Sequence, residues 1–369
     1  MQRRLVSLFL LAPLLALIST GSALATRSNS TGQRQAVLDD GYRVKNLVSD
    51  VPGQAAHVDP NLVNAWGLVA GPTTPWWVAD NGTNVSTLYT GAGDVLSLVV
   101  QVDGAPTGIV FNGHDDFIIS DGTNSGPAVF MFATESGTIR GWNPSVPPPP
   151  PSTQSFIAVD RSDIGAIYKG LAIATTHRGD FLYATDFHNA RVDMFDSNFK
   201  LVTPHGAFRD PRIPDRYAPF GIQNIRGILF VTYAKQDADK EDDVPGPGHG
   251  FVDMFSTSGR FLGRVATRHE LNSPWGLALA PESFGSFGGD LLIGNFGDGR
   301  INAYEPERGE NFDHEGTLRR PSGRVIVIDG LWALQFGNGG PAGPKGTLFF
   351  TAGPDDEMHG LFGRIKPAR

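Results

Sequence analysis

Residues 65–70 read AWGLVA and residues 274–279 read PWGLAL. The same short apolar pattern, with a small residue at its third place, occurs as PTGIVF (106–111), YKGLAI (168–173), PFGIQN (219–224) and LWALQF (331–336). Aligned on Gly67, Gly108, Gly170, Gly221, Gly276 and Ala333, the copies stand 41, 62, 51, 55 and 57 residues apart. Each is followed by a second apolar run ending in a polar turn. These are WWVADNGT (76–83), DFIISDGT (116–123), DFLYATDFHN (180–189), ILFVTYAK (228–235), DLLIGNFGD (290–298) and GTLFFTAGP (346–354). A third run comes next, of which RVDMF (191–195) and FVDMF (251–255) share four of five residues. Self-similarity on this length scale marks a repeat architecture. Six copies of a four-strand antiparallel unit predict an all-β fold, a six-bladed β-propeller of four-stranded blades. The glycines have a physical reason in that fold, because the first strands converge on a central channel where only a small residue lets backbones approach. The last copy ends in LFGRIKPAR without a fourth strand, whereas YRVKNLV (42–48) precedes the first copy with no blade of its own. Residues 42–48 are therefore expected to pair with the strand near 360–366, closing the ring and covering an open edge. Two sandwich domains are the alternative, and six copies of one pattern do not divide that way.

Around this repeat the bulk properties set limits. With 46 glycines and 27 prolines among 369 residues, the chain suits many short strands and turns. The formal net charge of −8, with no basic stripe, speaks against a nucleic-acid partner. The absence of cysteine excludes disulfides and thiol chemistry, so stability must come from burial. Residues 1–25 carry Arg3 and Arg4, an apolar run from Leu5 to Ile18, and Ala23-Leu24-Ala25, which together read as a secretory signal peptide cleaved near Ala25. Residues 26–41 read as a flexible polar leader and 42–369 as one propeller domain. The mature chain is expected to be an exported monomer, periplasmic or extracellular, with no transmembrane segment.

The repeat resembles those of NHL-type and gluconolactonase-type six-bladed propellers over about residues 42–366. More closely, NLVSD, NAWGL, YAKQDADKEDD followed by GHGFVDMF, and DGLWAL resemble an uncharacterised family of secreted bacterial propellers, some of which end in a PEP-CTERM sorting signal. That resemblance implies a fold and an exported location, and no established activity. The gluconolactonase likeness lies at the level of the fold, and its metal ligands do not map onto this chain residue by residue.

In a propeller the turns after the second strands and the starts of the first strands share one face, around the channel mouth. That face is expected to gather Asp80, Asn81, Asp121, Asp186, His188 and Asn295, with Trp66, Trp275 and Trp332 at the strand starts, as a ligand-binding surface. Turn chemistry alone also explains Asp and Asn at such places. The stretch 234–255, AKQDADKEDDVPGPGHGFVDMF, inserts into the same face and packs Asp237, Asp239, Glu241, Asp242 and Asp243 into seven residues. It lacks EF-hand spacing, yet five crowded carboxylates are expected to hold Ca²⁺ weakly or to stand as a solvated turn. No nucleophile, base and orienter can be read as a set. Three classes follow: a binding module for a protein, glycan or small molecule; a Ca²⁺-dependent hydrolase or lactonase; and a structural surface protein.

Overall fold

The computed structural model describes residues 41–306 and 311–368. The proposed signal peptide therefore lies outside the described residues. Six sheets form six blades. Blade one runs Ala65–Val69, Trp76–Asp80, Val85–Tyr89 and Val100–Gln101; blade two runs Pro106–Phe111, Phe130–Thr134, Thr138–Trp142 and Phe156–Asp160. Blade three has three strands, Tyr168–Thr176, Gly179–Asp186 and Arg191–Asp196. Blade four runs Tyr217–Ile225, Ile228–Lys235, Gly250–Ser256 and Phe261–Thr267, and blade five Pro274–Leu279, Leu291–Asn295, Ile301–Pro306 and Phe312–Thr317. Blade six takes Leu331–Phe336, Leu348–Ala352 and Leu361–Pro367 from the end of the chain and Tyr42–Ser49 from its beginning. The closing pair is antiparallel, with Tyr42 opposite Pro367, Val44 opposite Ile365 and Val48 opposite Phe362.

Both faces of each blade pack on a neighbour, so the middle strands read as apolar runs in place of alternating ones. Trp76–Asp80, for example, is buried at every position. The core divides accordingly into clusters between successive blades. Leu292 and Ile301 of blade five meet Leu334, Phe350 and Ile365 of blade six. Trp76 of blade one meets Phe349 and Phe362 of blade six.

The small residue of the repeat sits where the innermost strand bulges, as the register shifts between Tyr168 and Gly170 and between Pro274 and Gly276 show. A Thr on the second strand takes up the N–H freed by the bulge: Gly170 N donates to Thr185 Oγ1 at 2.7 Å and Gly221 N to Thr232 Oγ1 at 2.8 Å. A methyl on Gly276 would stand 2.5 Å from the carbonyl oxygen of Trp332 in the next blade. This close approach is the steric reason for glycine there.

One expected element is placed differently. The repeat pattern puts the second strand of blade two at 116–123; instead Ile118–Ser120 pairs with Ser125–Pro127 in a separate hairpin. The strand paired with Pro106–Phe111 is Phe130–Thr134, with Phe130 opposite Phe111 and Thr134 opposite Pro106. The mouth turn of blade two is thus 135–137, and the hairpin lies at the far end.

Candidate functional site

The residue before each small repeat residue begins the bulge and points to the channel mouth. In chain order these are Trp66, Thr107, Lys169, Phe220, Trp275 and Trp332. Four are aromatic, and they close the channel. Trp66 and Trp332 stack with ring centres 3.6 Å apart, Phe296 stacks on the other side of Trp332 at 3.9 Å, and Phe220 meets Trp332 edge-on at 5.8 Å. Trp275 stands edge-on to both Trp66 and Trp332 and donates its indole N–H to the carbonyl of Lys169 at 3.2 Å. Trp332 donates to Asn64 Oδ1 at 2.9 Å.

Into this ring projects one cation. The Lys169 side chain is 2% exposed, and its Nζ lies 5.1 Å from the Trp66 ring centre. Burying an ammonium costs several kcal/mol unless partners offset it. Two carboxylates do so, from two other blades: Glu135 in the 135–137 turn of blade two, and Asp242 in the acidic insertion of blade four at 3.0 Å. Burial drives the Lys169 pKa down, but Glu135 and Asp242 outweigh it and hold the value above the ordinary lysine range. The ammonium therefore stays charged at neutral pH.

A polar network extends from this pair. Asn81 donates to Glu135 Oε2 at 2.9 Å and accepts from Asn64 at 3.1 Å, and Asn64 also donates to Glu357. Burial pushes the Glu357 carboxyl up to about 7, against the lowering effect of Asn64 and Lys169. Glu357 is delivered by an unusual turn: Asp355, Asp356 and Glu357 have φ of 59°, 50° and 65° in succession. Left-handed backbone at a non-glycine residue is costly, and runs of it are rare.

The expected site residues divide by place. Trp66, Trp275, Trp332 and Asn81 meet in the mouth cluster. Asp80 is fully buried, accepts from Thr87 at 2.8 Å, and is driven by burial well above the usual carboxylate range. Asp186 is also buried; it accepts from the N–H and side-chain amide of Asn189 at 3.2 and 2.8 Å and pairs with Arg191 at 3.3 Å. Asn295 donates to the Glu270 carbonyl at 2.7 Å and to Asp298 at 3.1 Å. His188 is half-buried beside the same turns, and its carbonyl accepts from Gln236 at 3.3 Å. These four tie turns and strands together. Asp121 is not at the mouth. It closes the far-end hairpin, accepting from Thr123 N at 2.8 Å and Asn124 N at 2.6 Å.

The acidic insertion is a closed loop whose carboxylates diverge. Gln236 bridges Asp243, and Asp237 N donates to the Asp242 carbonyl at 2.9 Å. Asp237 accepts from Glu241 N at 3.0 Å, Asp239 and Glu241 are exposed, and Asp242 turns inward to Lys169. Burial pushes the Asp243 carboxyl up to about 6. Among the described residues, the only grouping of three His, Asp or Glu side chains at metal-ligating range is His114, Asp116 and Asp180. Sequence reasoning missed Lys169, Glu135, Asn64 and Glu357. Lys169 alone had a readable signal, as the one charged residue in a place otherwise held by Trp, Phe or Thr.

No protein-family model matches the chain. Uncharacterized protein R648 of Acanthamoeba polyphaga mimivirus is 35% identical over 354 residues, covering 91% of this chain and 82% of the viral protein. Uncharacterized protein L690 of the same virus is 34% identical over 356 residues, covering 91% and 88%. Among solved structures, a glucose dehydrogenase superposes with a TM-score of 0.51 at 12% identity, over 87% of this chain and 99% of its own. A putative gluconolactonase is matched over 64% of this chain and 83% of its own, with a TM-score of 0.40 and 16% identity. At 12% identity the likeness to the glucose dehydrogenase shows the fold alone.

Proposed function

The chain belongs to one family with the mimivirus proteins R648 and L690, and for it we propose a non-catalytic binding role. In this reading it is an exported monomeric propeller whose channel mouth takes up a small molecule, or the end of a glycan, that carries a carboxylate. The observation that carries the reading is Lys169. It is a permanent cation set in an aromatic ring, and one of its two partners, Asp242, sits on an insertion with a side chain 73% exposed. A ligand carboxylate takes the place of Asp242 when the insertion lifts, keeps Glu135 on the other side of the ammonium, and rests on the partly exposed edge of Trp275. Export rests on residues 1–25, which have the composition of a signal peptide. No helix of the described residues is long and apolar enough to cross a membrane.

The enzymatic alternative needs several oxygen donors converging at the mouth to hold Ca²⁺. Lys169 takes that central place, and an ammonium repels a dication. The structural alternative, a surface protein with no small ligand, is favoured by the aromatic plug and is separated from the binding reading by Lys169.

Calorimetry with D-galacturonate and with D-galactose tests the proposal. Binding of the acid alone, lost in Lys169→Met, is expected. Equal binding of both sugars, or acid binding unchanged in Lys169→Met, sinks it.

A further inference from the structure

We propose that His114, Asp116 and Asp180 form a binding site for a divalent first-row transition-metal ion at the end of the propeller opposite the mouth. Asp180 lies near the start of a strand that reaches the mouth at Asp186. Six residue steps along the strand separate the two, roughly 20 Å at about 3.4 Å per step. The site joins two blades: His114 and Asp116 follow the innermost strand of blade two, and Asp180 stands opposite Thr175 in blade three.

The loop that carries His114 and Asp116 is built rigidly. Asn112 is buried and donates to the carbonyls of His114, Asp116 and Ala128 at 3.3, 3.3 and 3.0 Å. Its Oδ1 accepts from His114 N at 3.0 Å. Phe117 N donates to the Ser197 carbonyl at 3.1 Å, fastening the loop to blade three. The three donor groups are thus held in place by backbone that does not depend on them.

What points to a cation is the state of the two carboxylates. The Asp180 side chain is 9% exposed, and both its Oδ1 and Oδ1 of Asp116 are shut off from solvent without a hydrogen-bond partner. A buried carboxylate oxygen with no donor is costly, and the Asp180 charge adds to that cost at Asp116. A dication between them satisfies both at once. His114 hydrogen-bonds Asp180 Oδ2 through Nδ1 at 2.5 Å, and its ring is 53% exposed, so the group opens to solvent on that side. Binding exchanges that hydrogen bond for two bonds to one ion, with the imidazole N–H then carried on Nε2. The donor atoms of the three residues lie within 4.8 Å of one another. Neighbouring ligands of one ion at about 2.0–2.2 Å stand roughly 3.0–3.6 Å apart, so side-chain rotation that opens the His114–Asp180 pair and draws the wider pairs in by up to about an ångström completes the site. One imidazole with two carboxylates suits Zn²⁺ or Mn²⁺, whereas Ca²⁺ takes six to eight oxygens.

The test is calorimetric titration of the chelator-treated full chain with ZnCl₂ and MnCl₂, with melting curves in parallel. One ion per chain and a rise in Tm with Zn²⁺ are expected. Asp116→Asn and His114→Gln should each weaken uptake at least about tenfold, while Lys169→Met leaves it unchanged. No uptake by the wild-type chain overturns the proposal. So does uptake that survives Asp116→Asn and His114→Gln, or that is lost instead on replacing Asp239 and Glu241; the His114–Asp180 pair is then a structural staple.

Discussion

Replacing Lys169 by Met removes the charge at the mouth and keeps the apolar stem. Breaking a buried ion pair by deleting one partner costs roughly 3–5 kcal/mol when the other is stranded. Here Asp242 is 73% exposed and regains water once the insertion lifts, and Glu135, 28% exposed, keeps Asn81 as a donor. A methionine in the aromatic ring also carries no desolvation penalty, so the net global loss should be only about 1–2 kcal/mol. At about 2.1 cal/mol/K per residue over roughly 330 residues, that lowers Tm by about 1–3 °C. The local effect should be larger, because Asp242 loses its anchor across the mouth. Lys240 is exposed at the tip of the insertion and offers a trypsin site. Loss of about 1 kcal/mol of local closure raises the open population, and with it the cleavage rate at Lys240, roughly fivefold. Limited digestion read by mass spectrometry measures this, with Glu135→Gln as the control that leaves the Lys169–Asp242 pair in place. If Lys169→Met is cut at Lys240 at the wild-type rate and melts no lower, Lys169 does not hold the insertion down.

Three further outcomes are expected. The folded-state pKa of Glu357, about 7, is raised above its unfolded value; its protonation therefore stabilises the fold at low pH, and that contribution is lost as pH rises from about 4.5 through 7. Glu357→Gln mimics the protonated form, so it should raise stability by up to about 2 kcal/mol at pH 8 and hardly at all at pH 4.5; a pH-independent difference in denaturant melts would contradict this. A chain beginning at residue 50 loses the fully buried Tyr42, Leu47 and Val48, about 5 kcal/mol of burial; an unchanged Tm would disprove the closure. Gly276→Ala drives a methyl into the Trp332 carbonyl and should cost about 2–3 kcal/mol, whereas Ala333→Gly at the equivalent place of blade six should cost about 1; thermal melts that rank the two the other way round would remove the steric reason given for the glycines.

The propeller was legible because its signal is local and repeated. The small residue, the apolar run and the polar turn recur in fixed order, and the unpaired segment at 42–48 had one vacant edge to fill. Blade two misled because DFIISDGT has the composition of a second strand. Its rival, Phe130–Thr134, wins through pairing with Pro106–Phe111, a register that no local pattern displays. Asp121 followed that error to the wrong end of the molecule. The mouth aromatics were found by their place in the repeat, but Lys169 was passed over as an irregular member of it. Glu135 was hidden by the same misplaced strand. Glu357 gave no warning, since nothing in Asp-Asp-Glu announces three left-handed residues, for which Gly or Asn is the usual mark.

The closing strand has a consequence for biosynthesis. Tyr42–Ser49 leaves the ribosome first, and its partner Leu361–Pro367 follows more than three hundred residues later. Until then blades one to five can only accumulate as an open arc, with an apolar flank at each end that the finished ring would bury. Closing the arc orders the first and last strands together, and that loss of chain freedom is recovered only when the last strand docks. The nascent chain thus has no early stopping point at which it is both folded and free of exposed apolar surface. It stays unfinished and in need of protection until its final residues arrive, and only then does the ring close.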